Sequence, residues 1–236
     1  SWAANVPVLC VTGQIPSASI GRGYGQLHEI PDQLSILQGL TKSAARIDHP
    51  TDAPAKVAEA FRQLRTGRPR PVALEMPLDQ LAEACSVDLL DAATDHARPP
   101  VDEDALAKAA KLLAGAKAPM IFVGSGAVDS GEAIQALAEM LQAPVIANRT
   151  GRGIVSHRHY LSMMHLEGHR LWADADVVLA IGSRLQPARM NWGTDDNLKI
   201  IHVDIDPVEI KRIAAPDVAL VGDAQDIVPA LGDAGG

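Results

Sequence analysis

Apolar and polar positions along the 236 residues alternate in blocks rather than singly, short unbroken apolar runs being followed by stretches with helical spacing. Val6-Pro7-Val8-Leu9-Cys10-Val11, closed by Thr12-Gly13, reads as a strand buried on both faces. Thr51-Asp52 then offers an N-cap and Pro54 an early helical position. Val57, Phe61 and Leu64 supply the stripe of a helix that ends near Gly67. Pro71 to Met76 is the next strand. From Pro77 to Pro100 the periodicity fades into acidic residues, alanines and a Pro99-Pro100 pair, which predicts an inter-domain linker.

A second, regular series follows. Asp102 caps a helix carrying Leu106, Ala110 and Leu113, and Pro119 to Val123 is a strand. Asp129 or Ser130 opens a helix with Ile134, Leu137 and Leu141, and Pro144 to Ala147 is the next strand. An irregular stretch from Asn148 to Arg170 precedes strands at 177–181, 200–203 and 218–221, five in all. Apolar strands separated by helices predict an α/β fold: a parallel sheet covered on both faces, Rossmann-like, preceded by part of a second α/β domain. The expected division is 1–79, a linker over 80–100, and 101–236.

Composition narrows this picture. Aromatic residues make up only 3% against 47% apolar residues, so Val, Leu, Ile and Ala must build the core. A net charge of −8 argues against a nucleic-acid surface, since polyanions are repelled at long range. No apolar run suits a membrane span, and no basic segment leading into an apolar one opens the chain. Cys10 and Cys85 are far apart, so a disulfide framework is excluded and a reducing cytoplasm is expected. Ser1 stands where a methionine would, a few residues before a buried-type strand, and the chain reads as a piece of a longer polypeptide.

Candidate chemistry sits where an open parallel sheet binds ligands, beyond the carboxyl ends of its strands. Gly124-Ser125-Gly126 follows one strand, Asn148-Arg149 the next, and Gly182-Ser183-Arg184, Asp204-Ile205-Asp206-Pro207 and Gly222-Asp223-Ala224 the others. Glycines admit a ligand to the backbone, and amides at a helix start suit a phosphate. A strand-end acid can accept ribose hydroxyls and Arg184 can pair with a diphosphate. The bland alternative is that these glycines only make tight turns. His157, His159, His165 and His169 crowd one segment, but it holds no Cys and only Glu167 as a carboxylate. They read as solvated loop histidines, and no metal site is expected there.

Read in order, these segments resemble a known family. Val8 to Gln14, Gln26-Leu27-His28-Glu29, Asp32-Gln33, Thr41-Lys42, Gly67 to Val72 and Met76-Pro77-Leu78-Asp79 are similar to the second half of the pyrimidine-binding domain of thiamine-diphosphate enzymes of the acetolactate synthase group. Residues from about 100 onward resemble that group's central domain, which has a Rossmann-like, DHS-like nucleotide-binding fold. The resemblance implies an enzyme, a carboligase or decarboxylase, that uses thiamine diphosphate and Mg2+ on a 2-oxo acid, the cofactor supplying the carbanion chemistry. It implies a homodimer or homotetramer, and it implies that the activating glutamate and the metal-binding Gly-Asp-Gly…Asn motif lie outside this stretch, so that the chain alone is inactive. His28 stands where relatives carry Gln near the substrate, which makes His28 and Glu29 the catalytic candidates. It also implies FAD or ADP in the central domain, touched by Gly124, Ser125, Gly126, Asn148, Arg149, Gly182, Arg184, Asp204, Ile205, Gly222 and Asp223. The alternative from a different class is a stand-alone nucleotide-binding or regulatory module.

Overall fold

The computed structural model describes residues 1–91 and 98–235. The chain divides into two compact units, Ser1–Ala97 and Arg98–Gly236. Of the stretch expected as a linker, residues 92–97 lie outside the described residues.

The first unit holds β1 (Leu9–Gln14), α1 (Gln33–Leu40), β2 (Ser43–Arg46), α2 (Ala53–Arg65), β3 (Val72–Pro77) and the short α3 (Leu78–Leu81). Its three strands are parallel in the order β1-β3-β2, so β3 is central and wholly buried. Here the expectation of a first strand buried on both faces fails. Among the described residues β1 is an edge strand paired with β3 alone, Cys10 is exposed, and Val11 is 69% exposed. The stripe read for α2 is likewise only partly buried: Leu64 packs on the core and Ala60 is buried, whereas Phe61 is exposed. Thr51 and Asp52 lie in a 3-10 turn, and α2 begins after them. At its other end Lys42 Nζ donates to the carbonyls of Gln63 (2.8 Å) and Thr66 (2.5 Å), capping the last turn with a cation where the helix dipole favours one. Neither α1 nor β2 was foreseen. Asp32 makes α1 possible by accepting from the Ser35 amide at 3.0 Å.

The second unit runs α4 (Glu103–Gly115), β4 (Pro119–Val123), α5 (Gly131–Leu141), β5 (Val145–Ala147), β6 (Ser162–Met163), α6 (His165–Leu171), β7 (Val177–Ile181), β8 (Lys199–Asp204), α7 (Pro207–Ile210), β9 (Val218–Val221) and α8 (Ala224–Gly235). Its sheet is parallel throughout, in the order β6-β5-β4-β7-β8-β9. It has six strands rather than five, because the stretch expected to be irregular contributes β6 and then α6. Alternate residues of the central strands feed two cores. Ile121, Val123, Leu179, Ile181, Ile201 and Val203 face α4, α5 and α8 through Leu106, Ile134 and Ile227. Met120, Phe122, Val178, Ala180 and Ile200 meet Trp172, Leu185 and Ala188 on the other face. Asp102 caps α4 by accepting from the Ala105 amide at 3.0 Å, as its position predicts. The order in which strands are added reverses between β4 and β7: β4, β5 and β6 advance one way across the sheet, and β7, β8 and β9 the other. This makes a topological switch point, where open α/β sheets place a ligand crevice.

Candidate functional site at the carboxyl edge of the second sheet

The strand order sets the candidate residues side by side along one edge: Asn148 and Arg149 after β5, Gly124 to Gly126 after β4, Gly182 to Arg184 after β7, Asp204 and Ile205 at β8, Gly222 and Asp223 after β9. At the switch point the two glycine turns lie backbone to backbone. A Cβ on Gly124 would come 2.8 Å from Ser183 Cα, one on Gly126 would come 2.8 Å from Gly182 Cα, and one on Gly182 would come 2.7 Å from the Ala127 nitrogen. Gly182 also holds a left-handed φ of 54°. These glycines are therefore required by close packing of the turns themselves.

Several amides of these turns bond within the protein. Gly126 N donates to Gly182 O (3.1 Å), Ala127 N to Gly124 O (3.1 Å), Gly182 N to Val203 O (2.9 Å) and Gly222 N to Asp204 O (3.0 Å). These four turn amides are thus engaged within the protein. Over them, Asn148 Nδ2 donates to the buried Ser183 Oγ at 2.5 Å, reaching from β5 past the end of β4 to β7. Arg149 is exposed, and Ser125 and Ile205 are part-buried.

The side chains left at the edge are charged. Arg184 Nε lies 3.5 Å from Glu209 Oε1, and Arg212 Nε lies 3.0 Å from Glu209 Oε2. Glu209 is itself buried. Asp204 Oδ1 accepts from the Asp206 amide, and Asp206 Oδ1 accepts from the Val208 amide to cap α7, each at 2.9 Å. Asp223 Oδ1 accepts from the Gln225 amide at 2.9 Å, while its Oδ2 lies 3.5 Å from Arg98 Nε. Arg98 also donates to Asp226 at 3.0 Å, pinning the segment that enters this unit onto the start of α8. Glu209, Arg212 and Arg98 were missed from sequence, while Ser183 was noted only as part of the Gly182-Ser183-Arg184 turn. An Arg or Glu on a polar stretch carries no signal until the fold brings it to an edge.

Three of the four clustered histidines, His157, His165 and His169, are exposed, as expected, but His165 and His169 lie on a helix rather than a loop. His165 and His169 stand on one face of α6 with ring centres 4.6 Å and 5.0 Å from that of Trp192. His159 Nε2 lies 2.9 Å from Glu139 Oε1, and His157 is exposed. Among the described residues no group of three or more His, Cys, Asp or Glu side chains could hold a metal ion.

In the first unit, Glu29 accepts from the amides of Gly23 and Gln26, each at 2.9 Å. The amide of Gln26 foremost, with those of Gly23, Gly25 and Tyr24, holds its carboxyl below the usual range. An ionised carboxylate with both oxygens engaged is a loop staple and a poor proton donor. His28, its neighbour, has a left-handed φ of 69°, and Leu27 is 83% exposed. On the central strand of the same unit, fully buried Glu75 receives Arg46 Nε at 2.5 Å and Gln33 Nε2 at 2.8 Å.

Comparison with known proteins agrees with this architecture. The family profile described as thiamine pyrophosphate enzyme, central domain, matches residues 106–231, and the chain belongs to that family. It is 35% identical over 98% of its length to a protein of Pseudomonas aeruginosa named as a 2-ketoarginine decarboxylase, and 30% identical over 96% to the acetolactate synthase isozyme 1 large subunit of Escherichia coli. It spans 42% of either relative's own length. A solved structure from Mycobacterium smegmatis, assigned as thiamin diphosphate-dependent, superposes on 99% of this chain with a TM-score of 0.84 at 20% identity, which shows the shared fold. The chain covers 46% of that structure.

Proposed function

We propose that this chain is part of a thiamine-diphosphate-dependent carboligase or decarboxylase acting on a 2-oxo acid. The carrying observation is that identity to relatives named for such reactions runs along nearly the whole chain, through both units. In this reading residues 1–79 are the later part of a pyrimidine-binding domain and 101–236 a central domain, in an assembly of two or four copies in the cytoplasm. No described helix is long and apolar enough to cross a membrane.

Thiamine diphosphate with Mg2+ supplies the carbanion chemistry when bound. Among the described residues no cluster of metal-ligating side chains could hold that ion. In this reading His28 holds or passes a proton near substrate, while its neighbour Glu29 fixes the loop through the Gly23 and Gln26 amides. At the second sheet the donor set fits an adenine nucleotide, FAD or ADP, through side chains: Arg184 towards the diphosphate, Asp223 or Asp204 towards ribose or adenine. The turn glycines shape that edge without donating to it.

The test uses the longest polypeptide the gene encodes, with thiamine diphosphate, Mg2+ and a panel of 2-oxo acids, following CO2 release. Cofactor-dependent consumption of at least one acid is expected. No consumption of any at millimolar concentration overturns the reading. Calorimetry with ADP and FAD on the wild type and Arg184→Ala tests the nucleotide, with a ten- to hundredfold loss expected, since an Arg–phosphate pair contributes about 1.5–3 kcal/mol.

A further inference from the structure

We propose that Arg98 is an autoinhibitory cation, competing with an adenosine moiety for the carboxylate of Asp223, so that the segment entering the second unit and a ligand at the edge of its sheet share one anchor. The proposal rests on the adenine-nucleotide reading above and adds the regulation of that site.

The geometry of one carboxylate carries the proposal. β9 ends at Val221, and Gly222-Asp223 leads directly into α8 at Ala224. Asp223 therefore stands before the first turn of a helix, where the dipole favours an ionised carboxylate, and its Oδ1 accepts from the Gln225 amide at 2.9 Å. Its other oxygen, Oδ2, is the one placed for a ligand hydroxyl, and it lies 3.5 Å from Arg98 Nε. The guanidinium is held there by its two outer nitrogens. Nη1 donates to Asp226 Oδ1 at 3.0 Å and Nη2 to Gln225 Oε1 at 3.2 Å. Two hydrogen bonds to neighbours on α8 thus fix the plane of the fork beside Asp223. The contact with Asp223 itself is the longest of the three and beyond good hydrogen-bond length, so it is the one a ligand replaces. The Asp223 side chain is 27% exposed and that of Arg98 43%, which leaves the cation lying on the open side of the carboxylate. A ribose or adenine donor reaching Oδ2 meets Arg98 first. Arg98 is also the first residue of the second unit, so the group that competes with the ligand is part of the chain's own entry. Such competition is reciprocal: the ligand loosens the Arg98 contact by the same factor by which the contact weakens the ligand.

The experiment is calorimetry with adenosine and ADP as separate probes on the longest polypeptide the gene encodes, comparing the wild type, Arg98→Gln, Asp223→Asn and the double variant at low and high salt. Arg98→Gln should bind adenosine about two- to fivefold tighter, the strength of an exposed ion pair. That gain should vanish in the Asp223→Asn background. Adenosine is uncharged, so added salt acts on the Arg98 contact alone: it should tighten adenosine on the wild type and leave Arg98→Gln unchanged. ADP should gain less, because the substitution also removes a positive charge that attracts its phosphates. Should Arg98→Gln fail to fold by circular dichroism, the salt dependence of the wild type decides. Adenosine bound no tighter by Arg98→Gln, or a gain that persists in Asp223→Asn, overturns the competition, and ADP binding in the same chains leaves the nucleotide reading standing. If neither probe binds any of the chains at millimolar concentration, the nucleotide reading falls and the competition falls with it.

Discussion

Glu29 and Glu75 are carboxylates of the same unit with opposite surroundings, and each yields a prediction. Glu29 is part-buried and held by backbone amides, which lower its pKa from 4.5, the Gln26 amide contributing most. A depressed folded value means that its contribution is complete above the unfolded value and is lost as pH falls through the folded one. The amide protons of Gly23 and Gln26 should therefore titrate together by NMR with a midpoint below 4.5, and the titration should vanish in Glu29→Gln. A midpoint at or above 4.5 would contradict the staple. Glu75 is fully buried and depends on Arg46 and Gln33. Arg46→Ala leaves a buried charge without its cation, a loss of about 3–5 kcal/mol in such pairs. Urea unfolding should show that loss, whereas Arg62→Ala, which breaks an exposed pair with Glu59, should leave the midpoint in place.

Among the elements, the two glycine turns at the switch point separate packing from conformation. Gly182→Ala meets both difficulties, a Cβ 2.7 Å from the Ala127 nitrogen and a φ of 54°. Gly193→Ala meets only the second, since nothing lies within 4 Å of its Cβ at a φ of 86°. Unfavourable backbone alone costs about 1–3 kcal/mol, and forcing a methyl into a packed interior adds about 1–3 kcal/mol. Denaturant unfolding of the second unit should thus place Gly182→Ala well below Gly193→Ala, and equal midpoints would mean that the turns can part. The same contrast shows what was legible beforehand. Central strands such as 177–181 were plain because burial on both faces leaves an unbroken apolar run. β2, with the sequence Ser43-Ala44-Ala45-Arg46, and the two-residue β6 are strands only because a neighbour pairs with them, and no local pattern announces that. β1 misled in the other direction, since apolar character foretells burial only where another layer arrives to cover it.

For the whole molecule, the candidate edge could be located from sequence because a parallel sheet fixes where strand ends point, but its chemistry could not. Sequence does not reveal that the Gly126 and Gly182 amides bond within the protein, nor that α7 returns Arg212 to the side of Glu209 opposite Arg184. The two units also differ in how completely they bury what they carry. The second has apolar clusters on both faces of its sheet. The first has one small cluster around Val72, Leu74 and Met76, and leaves Val11, Tyr24, Leu27, Leu40 and Leu78 more than half exposed. Apolar surface of that kind marks an interaction face or an aggregation liability. Residues 98–236 expressed alone should therefore unfold in a single cooperative transition with little affinity for a hydrophobic dye. Residues 1–97 alone should bind the dye strongly and self-associate as concentration rises. Size-exclusion chromatography with dye fluorescence on both pieces checks this. A monomeric, dye-silent first unit would show that its apolar residues need no cover, and an unfolded second unit would show that its two cores are not enough to hold it.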